Sequence, residues 1–334
     1  PKGVLLTVDN LSHFCAWYAR YVELDRHSRA LQFSTINFDA SLLDIFPTLI
    51  QGGELIVPTE DQRRDPVALA ELIQQEQVTH AFLPPALLSI IQLESLYGMQ
   101  HLVTGGDVCE PHVIEQLVGH CALHNIYGPT ETTVLATCRT FQRGDNNRNL
   151  GVPIANTAIY LLDEHGQPVG ENDSGEIHIA GPGVGAGYLG ALQMTAERYR
   201  LHELPDGQWV RLYRTGDLAR WTEEGIQIIG RLDNQVKIRG FRVEPEEIEH
   251  LLQSSQLFRQ LAVVIDHQRR ILAFFSQPQE GEGQAASEQL QAYALKHLPD
   301  YMRPSAYCLL DRLPATANGK VDRKALRDLP VNYK

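Results

Sequence analysis

The chain has 334 residues and a formal net charge of −12 at pH 7. A prior of about 150 residues per domain predicts about two domains. The acidic charge argues against sequence-independent nucleic-acid binding, which needs a basic surface. No apolar stretch approaches the ~20 residues that span a bilayer, and no signal peptide follows Pro1, so we expect neither a membrane span nor a secretory leader.

The cysteine pattern indicates a reducing compartment such as the cytoplasm. The number of cysteines, five, is odd, and their spacing shows no CxxC or Cys/His pattern for zinc. Free thiols in a reducing environment are the simplest interpretation. The 13 histidines contain no HExxH pattern, so the sequence does not predict a histidine-ligated metal site.

The first half of the chain alternates short β-prone runs with helical spacing of apolar residues. The predicted elements are strand Leu31–Asn37, helix Ser41–Gln51, strand Glu54–Val57, helix Pro66–Gln75, strand Thr79–Leu83, helix Pro84–Leu93, strand Leu102–Thr104, helix Glu110–Val118 and strand Cys121–Leu123. Such alternation is typical of a mostly parallel sheet covered by helices.

From about Gly151 the pattern changes to short strands divided by Gly, Pro and Asp turns, which indicates a β-rich subdomain. Its predicted strands are Ala158–Asp163, Gly175–Ala180, Tyr213-Arg214 and Ile226–Ile229. Beyond Asp233 the sequence predicts a small α+β unit, with helix Pro245–Leu257, strands Leu261–Asp266 and Arg270–Ser276, helix Ala286–Leu298 and strand Ser305–Leu310. We therefore expect the main boundary near Asp233, between residues 1–232 and 233–334.

A polar segment, Asn125–Thr133, follows the last predicted strand of the first half. It combines a Gly-Pro turn with several hydroxyls and one carboxylate, Glu131. Hydroxyls donate to phosphate oxygens, and carboxylate oxygens suit Mg²⁺. The segment alone is equally consistent with a plain turn that carries Tyr127 as a core aromatic residue.

Two further segments hold candidate binding residues. In Tyr213–Leu218, Asp217 follows a glycine and suits the two hydroxyls of a ribose, although Gly-Asp is also ordinary turn chemistry. Gly230–Arg242 concentrates cations, and strand alternation places Lys237 and Arg239 on one face. These cations suit phosphates, but a solvated strand face explains them as well.

Near the C-terminus, an Asn-Gly turn projects Lys320. A lysine on a loop can stabilise a developing anion, whereas an exposed surface lysine is the simpler interpretation of this segment alone. The six glycines within Gly175–Gly190 do not follow the GxGxxG pattern between a strand and a helix, so they do not predict a dinucleotide site.

In this order and spacing, the chain resembles the adenylation domains of nonribosomal peptide synthetases, within the adenylate-forming enzyme superfamily. Seven segments match successive core motifs of that family: Phe38–Ser41, Asn125–Thr133, Gly175–Leu189, Tyr213–Leu218, Gly230–Glu244, Leu298–Pro304 and Asn318–Arg323. The likeness covers the whole chain. It implies an α/β adenylate-forming fold: a parallel-sheet α/β subdomain and a β-rich subdomain, followed by a small mobile α+β C-terminal subdomain.

The chain opens at Pro1-Lys2-Gly3-Val4, which resembles the end of the Ser/Thr/Gly-rich loop that grips the triphosphate in this family. We therefore expect a partial adenylation domain, without most of that loop and without the subdomain before it.

The resemblance implies a reaction in two steps. An amino acid carboxylate attacks the α-phosphorus of ATP with Mg²⁺ bound, which gives an aminoacyl adenylate and pyrophosphate. The phosphopantetheine thiol of a carrier protein then takes the acyl group and releases AMP. Because the first step brings two anions together, positioning and charge neutralisation should supply most of the acceleration.

The resemblance also implies roles for individual residues. For the nucleotide these are Asn125 near the adenine edge, Tyr127 stacked on adenine, Gly128 in the loop, Thr130 on a phosphate, Glu131 on Mg²⁺, Asp217 on the ribose and Arg231 near ribose or phosphate. Lys320 would bridge the substrate carboxylate and the adenylate oxygens. Asp233 resembles the hinge between the two half-reactions, after which Lys237 and Gly240 would face the site.

Asp39 favours an α-amino acid substrate, because in amino-acid-activating members an aspartate here pairs with the substrate ammonium. The other matching pocket positions lack charged and hydrogen-bonding side chains: Ala40, Leu43, Phe82, Val103, Gly105, Ile126, Val134 and Leu135. Such a pocket penalises a polar substrate side chain. We expect an apolar amino acid, with a slight preference for an aliphatic one because Phe82 and Leu43 occupy space.

Two alternatives stay open. An acyl- or aryl-CoA ligase of the same superfamily would leave Asp39 without a cation to pair, and an inactive structural fragment of a megasynthase would explain the missing phosphate loop. The chain shows no carrier attachment site, condensation motif or thioesterase elbow. We therefore expect a peptidyl carrier domain as partner, leave open a condensation domain and an MbtH-like protein, and expect no nucleic-acid or membrane partner.

Overall fold

A computed structural model describes residues 2–204, 207–232, 236–238, 241–278, 283–315 and 321–331, of which 236–238, 241–242, 277–278 and 283–284 are described by their backbone. It divides into two compact units, Lys2–Leu232 and Asp233–Lys334. Asp233, the predicted hinge, lies outside the described residues, so the hinge stays a prediction.

The larger unit contains both sheets that surround the predicted site. Its strands are β1 Val4–Leu5, β2 Arg29–Leu31, β3 Glu54–Ile56, β4 His80–Phe82, β5 His101–Gly105, β6 Ala122–Tyr127, β7 Thr137–Thr140, β8 Val152–Pro153, β9 Ala158–Leu162, β10 Gly175–Ala180, β11 Gly187–Tyr188, β12 Tyr199–Glu203, β13 Trp209–Thr222 and β14 Gly225–Arg231. Its helices are α1 Val8–Tyr21, α2 Ser41–Ile50, α3 Glu60–Arg64, α4 Pro66–Gln75, α5 Pro85–Leu88, α6 Pro111–Leu117 and α7 Leu192–Arg198, with 3-10 turns at Leu93–Leu96 and Thr130–Thr132.

The first sheet has seven strands in the order β3-β2-β4-β5-β6-β7-β8. The five strands from β3 to β6 are parallel, and β7 and β8 continue the sheet antiparallel. The predicted mostly parallel sheet is therefore confirmed. Because side chains alternate across a strand, residues two apart on β4, β5 and β6 share one face.

Helix α1 covers the face of this sheet that carries the predicted substrate pocket. Its N-terminus is closed by a capping box, in which Thr7 Oγ1 accepts from the Asn10 N–H and Asn10 Oδ1 accepts from the Thr7 N–H. Phe14, Tyr18 and Val22 recur at helical spacing and are buried against the sheet. The sequence analysis placed no element here.

The second sheet is antiparallel, in the order β12-β13-β10-β9 with β14 paired to β13. Strand β13 is 14 residues long and runs through Thr215–Leu218. The register shifts between Glu176 and His178 on β10, and between Leu218 and Ala219 on β13 where it pairs with β14. The turn expected before Asp217 is thus an irregularity inside one long strand.

Three other predicted elements have different bounds. The strand expected over Leu31–Asn37 ends at Leu31, after which the chain leaves the sheet and makes a turn in which the Phe38 N–H donates to the Thr35 carbonyl. The helix expected over Pro84–Leu93 is a short α5 and a separate 3-10 turn. Strand β6 continues to Tyr127, so the predicted loop begins at Gly128.

The smaller unit has strands β15 Val236–Ile238, β16 Phe241–Val243, β17 Phe258–Ile265, β18 Ile271–Pro278 and β19 Ala306–Leu309. Its helices are α8 Pro245–Gln253, α9 Gly283–His297 and α10 Arg323–Arg327, with a 3-10 turn at Asp300–Met302. Strands β17 and β18 pair antiparallel, and β19 joins β18 in parallel. Ile248, Leu252 and Leu290 of α8 and α9 share an apolar cluster with this sheet. The structure therefore shows the small α+β unit that the sequence predicts.

None of the helices within the described ranges combines the length and the apolar character needed to cross a bilayer. A cytoplasmic location stays a prediction.

Three histidines stand side by side on the parallel sheet, of which His80 and His124 are buried and His101 is half-buried. His80, His101 and His124 lie on β4, β5 and β6, and their rings stack with centroids 5.2 Å apart for each neighbouring pair. His101 Nδ1 and His124 Nε2 share a hydrogen bond of 2.9 Å. We call these three residues the histidine ladder. Its rings occupy the face that α1 covers.

The ladder predicts how stability changes with pH. Burial lowers the pKa of all three histidines, to about 3 for His124, so folding favours their neutral form. The stabilisation is complete above the unfolded pKa of about 6.5 and is lost as the pH falls toward the folded value. For His124 the loss is about 1.4 kcal/mol of unfolding free energy per pH unit within this window.

Urea unfolding at several pH values between about 6.5 and 4 measures this slope. His124→Phe, which cannot take up a proton, should show a shallower slope than the parent, whereas His112→Gln at an exposed position should keep the parental slope. Equal slopes for the parent and His124→Phe would contradict the prediction.

Candidate active site

The end of β6 carries the central residues of the predicted nucleotide site. At Gly128, a Cβ atom would lie 2.4 Å from Leu135 Cα and 2.7 Å from the Ala136 nitrogen, so only glycine fits where the following loop folds back. That loop holds Thr133 and Val134 at φ of 60° and 72°. A β-branched residue in the left-handed region is strained, and such strain persists where the surrounding structure holds the backbone in place.

Tyr127 and Asp217 join the two sheets. The Tyr127 hydroxyl donates to Asp217 Oδ2 at 2.6 Å, and Arg231 donates from Nη1 to Asp217 Oδ1. Arg231 also donates from Nη2 to the Thr215 carbonyl at 3.1 Å. Asp217 is 5% exposed, and its buried charge needs such partners. Burial and the Asp217 charge raise the pKa of Tyr127 well above its ordinary value, so the phenol keeps its proton and remains a donor.

Glu176 fixes the irregular part of β13 next to Asp217. Its carboxylate accepts from Arg214 Nε at 2.8 Å and from the Gly216 backbone N–H at 2.9 Å. The Thr215 hydroxyl donates to the Ile177 carbonyl at 2.8 Å and accepts from the Asp217 N–H at 3.0 Å. The backbone that presents Asp217 is therefore held on both sides by hydrogen bonds.

Glu131, the predicted Mg²⁺ ligand, is 2% exposed in the 3-10 turn after β6. The Tyr188 hydroxyl donates to Glu131 Oε1 at 2.6 Å. Burial, and next the Glu131 charge, raise the pKa of Tyr188 far above its ordinary value, so this phenol also stays protonated. Lys2 Nζ lies 6.0 Å from the centroid of the Tyr188 ring.

Thr130 and Asp39 are in direct contact, although 91 residues separate them in the chain. The Thr130 hydroxyl donates to Asp39 Oδ2. Asp39 is half-buried in the turn before α2. Since the single hydroxyl proton of Thr130 is used here, donation to a phosphate requires a change of partner. The predicted ammonium partner and the predicted phosphate donor therefore lie side by side.

The predicted pocket side chains come together in one apolar cluster between α1, α2 and the parallel sheet. Its members from the predicted set are Ala40, Leu43, Phe82, Val103, Ile126, Val134 and Leu135, all buried. Gly105 lies at the end of β5, where a Cβ atom would lie 2.4 Å from the Ile126 carbonyl oxygen. Packing against β6 therefore requires glycine at this position, apart from any room it leaves for a substrate.

Asn125 lies on β6 beside Tyr127 and is buried, and its amide donates to the Asn149 carbonyl at 3.0 Å. Lys320 and Gly240 lie outside the described residues, and Lys237 is described by its backbone in β15. The structure thus brings together the predicted residues of the larger unit, and the roles assigned to all of them stay predictions.

The sequence analysis missed two residues that hold the site. Tyr188 lies in the glycine-rich run and Glu176 in a β-strand, and neither carries a local pattern that points to a carboxylate 57 residues away or a backbone N–H 40 residues away. Only the pairing of distant strands brings them to their partners.

In the part of the chain that the structure describes, no group of three or more His, Cys, Asp or Glu side chains could hold a metal ion by itself. A cation at Glu131 would need further ligands from water or from a bound ligand. Mg²⁺ accepts such a site readily, because it usually keeps several waters and shares substrate phosphates.

The geometry at Gly105 predicts a stability effect. Gly105→Ala should lower the free energy of unfolding by ~3 kcal/mol, because the new methyl group meets the backbone of a neighbouring strand that cannot give way. Gly230→Ala is the matched control, since a Cβ atom there would meet nothing within 4 Å. Urea denaturation measures both variants, and equal stability for Gly105→Ala and the parent would refute the packing requirement.

Comparison with known proteins agrees with the predicted family. A family model for AMP-binding enzymes matches residues 1–189, and a model for the C-terminal domain of AMP-binding enzymes matches residues 247–320. Bacitracin synthase 3 from Bacillus licheniformis is 38% identical over 331 residues, which cover 98% of this chain. The chain spans only 5% of the length of that synthase.

Two solved structures share the fold. An artificially fused adenylation and carrier di-domain of a nonribosomal peptide synthetase from Klebsiella oxytoca, NpsA-ThdA, superposes with a TM-score of 0.78 at 26% identity, over 92% of this chain and 62% of that one. A four-domain nonribosomal peptide synthetase bound to AMP and glycine superposes with a TM-score of 0.66 at 31% identity, over 100% of this chain and 25% of that one.

The predicted fold class is confirmed by these neighbours, and so is the predicted family of ATP-dependent, AMP-forming ligases. The chain belongs to the AMP-binding enzyme family, and within it to the adenylation domains of nonribosomal peptide synthetases.

Proposed function

We propose that this chain activates an apolar α-amino acid with ATP and Mg²⁺ and passes it to the phosphopantetheine thiol of a carrier domain. The observation that carries the proposal is the contact between Thr130 and Asp39. It brings the residue assigned to the substrate ammonium next to the residue assigned to a phosphate. The reaction needs this proximity, because the substrate carboxylate must reach the α-phosphorus.

Asp217 has the chemistry to hold the ribose. A carboxylate offers about four acceptor positions, and Tyr127 and Arg231 use one each. The remaining positions can accept from the two ribose hydroxyls while the protein donors keep the carboxylate in place. Arg231 at the same carboxylate then places a guanidinium beside the nucleotide, which offsets the charge of Asp217.

Glu131 is suited to hold Mg²⁺. Its oxygens are hard ligands, and one of them already has its position set by the Tyr188 hydroxyl. When bound, the ion would neutralise phosphate charge that otherwise repels the incoming carboxylate. Tyr188 acts on this step only by orienting Glu131.

In the first step, a substrate carboxylate oxygen forms a bond to the α-phosphorus of ATP, and the bond from that phosphorus to the bridging oxygen of pyrophosphate breaks. Lys320 is the cation assigned to the carboxylate and the adenylate oxygens. In the second step, the carrier thiol adds to the acyl carbon, AMP leaves, and the thiol proton passes to solvent or to a base. Lys237 is the residue assigned to that orientation.

An apolar α-amino acid fits the cluster around Asp39. The seven buried apolar side chains assigned to the pocket share one cluster, and Asp39 is the one carboxylate in the assigned set. Burying a polar substrate group here without a partner is unfavourable. The fused adenylation and carrier di-domain among the structural neighbours supports a carrier as the acceptor. A condensation domain and an MbtH-like protein as further partners stay predictions.

Amino-acid-dependent exchange of pyrophosphate into ATP tests the proposed first step, in the natural polypeptide that carries this chain. We expect exchange with apolar amino acids only, and its loss in Lys320→Ala because this variant lacks the cation assigned to the substrate carboxylate and the adenylate oxygens. Asp39→Asn should lower kcat/KM for the amino acid by about 100-fold, since a buried charge-assisted contact to the ammonium is lost.

Lys324→Ala and Asp61→Ala, at exposed positions, are the matched controls and should retain parental exchange. Exchange driven by carboxylic acids without an α-amino group would contradict the substrate assignment and favour a CoA ligase. Absence of both exchange and ATP binding would favour the inactive structural fragment, whereas ATP binding would argue against it.

The contact between Tyr188 and Glu131 predicts a change in magnesium dependence. Tyr188→Phe should raise the Mg²⁺ concentration for half-maximal exchange by about tenfold, because Glu131 loses the donor that orients it. The KM for the amino acid should stay unchanged. Tyr199→Phe removes a hydroxyl from a ring packed against Tyr188 and is the control. An unchanged Mg²⁺ dependence in Tyr188→Phe would remove Tyr188 from this role.

A further inference from the structure

The histidine ladder lies beside the floor of the predicted substrate pocket, on the same face of the parallel sheet. Phe82, Val103 and Ile126 follow His80, His101 and His124 by two residues on β4, β5 and β6, and residues two apart on a strand project from the same face. In the strand register His80 pairs with His101, Phe82 pairs with Val103, and Val103 also pairs with His124. The ladder residues are therefore direct neighbours of the floor residues, and α1 covers this face, with Phe14 and Tyr18 in the cluster of the pocket residues.

Hydrogen bonds tie the ladder together and to its surroundings. His124 Nδ1 contacts Thr140 Oγ1 at 2.9 Å, and Thr140 Oγ1 contacts the Tyr21 hydroxyl at 2.9 Å. At the other end, His80 Nε2 contacts the Val22 carbonyl at 2.7 Å. His80 Nε2 must therefore carry a proton.

The ladder has one consistent direction of donation when the Tyr21 hydroxyl is the donor to Thr140. Thr140 then donates to His124 Nδ1, and His124 donates from Nε2 to His101 Nδ1. His101 keeps its proton on Nε2, which faces Glu23 at 4.0 Å. Every ring is neutral in this arrangement, and both nitrogens of His124 are hydrogen-bonded.

The other ionisable groups around the ladder do not supply a buried charge. Helix α1 contributes Tyr21, whose pKa is raised by burial, and β7 contributes Cys138, whose pKa burial raises to about 12. The carboxylates are Glu23 and Asp25, both exposed. A proton added to the ladder would therefore lack a buried counter-charge.

We propose that His80, His101 and His124 are positioning residues that set the shape of the pocket floor and thereby the choice of amino acid. The inference rests on the proposed function and extends it to a layer of residues that does not touch the substrate. The stacked rings resist compression, and the hydrogen bond between His101 and His124 fixes the spacing of those two rings. The three floor side chains stand on the same three strands and take their spacing from them.

The physical consequence of breaking the ladder is a local rearrangement. A buried nitrogen that loses its partner costs free energy, and nearby side chains shift to satisfy it or to fill the space. Because the floor residues are direct neighbours of the ladder on the same sheet face, the shift alters the volume offered to a substrate side chain. The residues assigned to ATP lie at the end of β6 and on β13 and β14 and are not part of the ladder, so the affinity for ATP should change little.

The test compares two substitutions of His124 in the polypeptide that carries this chain. The side-chain amide of glutamine can take the place of His124 Nε2 and keep the contact to His101, whereas leucine removes both contacts. His112→Gln, at an exposed position, is the control. Pyrophosphate exchange gives kcat/KM for the preferred amino acid and for apolar amino acids one methylene larger or smaller, and the KM for ATP.

We expect His124→Leu to change the ratio of kcat/KM between these amino acids by about tenfold, the discrimination that one methylene group carries in an apolar pocket. The KM for ATP should stay within about twofold of the parent. His124→Gln should keep the parental ratio more closely than His124→Leu, and His112→Gln should match the parent. Thermal unfolding at the assay pH confirms that each variant is folded.

If His124→Leu is folded and its kcat/KM falls by the same factor for every amino acid, the ladder supports stability alone and the inference is wrong. If His124→Leu does not fold, the same comparison is made at His101. His101→Asn can keep the contact made by Nδ1 and should keep the parental ratio of kcat/KM, whereas His101→Leu should change it. Equal ratios in the two folded variants would show that the inference is wrong. Absence of exchange in the parent with every amino acid would overturn the proposed function itself, which is a different outcome from unchanged ratios.

Discussion

The hydrogen bond from Tyr127 to Asp217 joins the end of the parallel sheet to the β-rich sheet, and the predicted nucleotide site depends on it. Burying a carboxylate is unfavourable without donors, and the Tyr127 phenol and the Arg231 guanidinium supply them to Asp217. The phenol comes from β6 and the guanidinium from β14. The two sheets must therefore keep one relative position for the carboxylate to be stable, and the loop that carries Thr130 and Glu131 starts at that junction.

Much of the fold follows from the sequence because its patterns are local. Alternating strands and helices predicted the parallel sheet, and Gly, Pro and Asp turns predicted the β-rich part. Helix α1 carried helical spacing at Phe14 and Tyr18 but was overlooked. Strand β13 could not be predicted whole, because Gly216 and Asp217 have turn composition, and it is contacts with neighbouring strands, including the bond from the Gly216 N–H to Glu176, that hold this segment in the strand.

Some residues of the candidate site could likewise be predicted from local sequence patterns, and others could not. Residues in contiguous motifs, such as Tyr127 and Glu131, could be named from the sequence and the family it resembles. Tyr188 and the histidine ladder could not, since a single tyrosine or histidine carries no signal until strand pairing shows what it touches. The ladder and the pocket floor are neighbours on one sheet face, so the core that stabilises the fold also borders the proposed substrate.

The central claim is that Asp217 holds the ribose of ATP, and calorimetric titration of the unaltered polypeptide with two ligands tests it most directly. ATP and 2′,3′-dideoxy-ATP differ only in the hydroxyls assigned to this carboxylate, so the test needs no substitution of the buried Asp217. Hydrogen bonds to a charged group contribute about 1.5–3 kcal/mol, so the account predicts at least about tenfold weaker binding of the dideoxy compound. Equal affinity for the two nucleotides would contradict it.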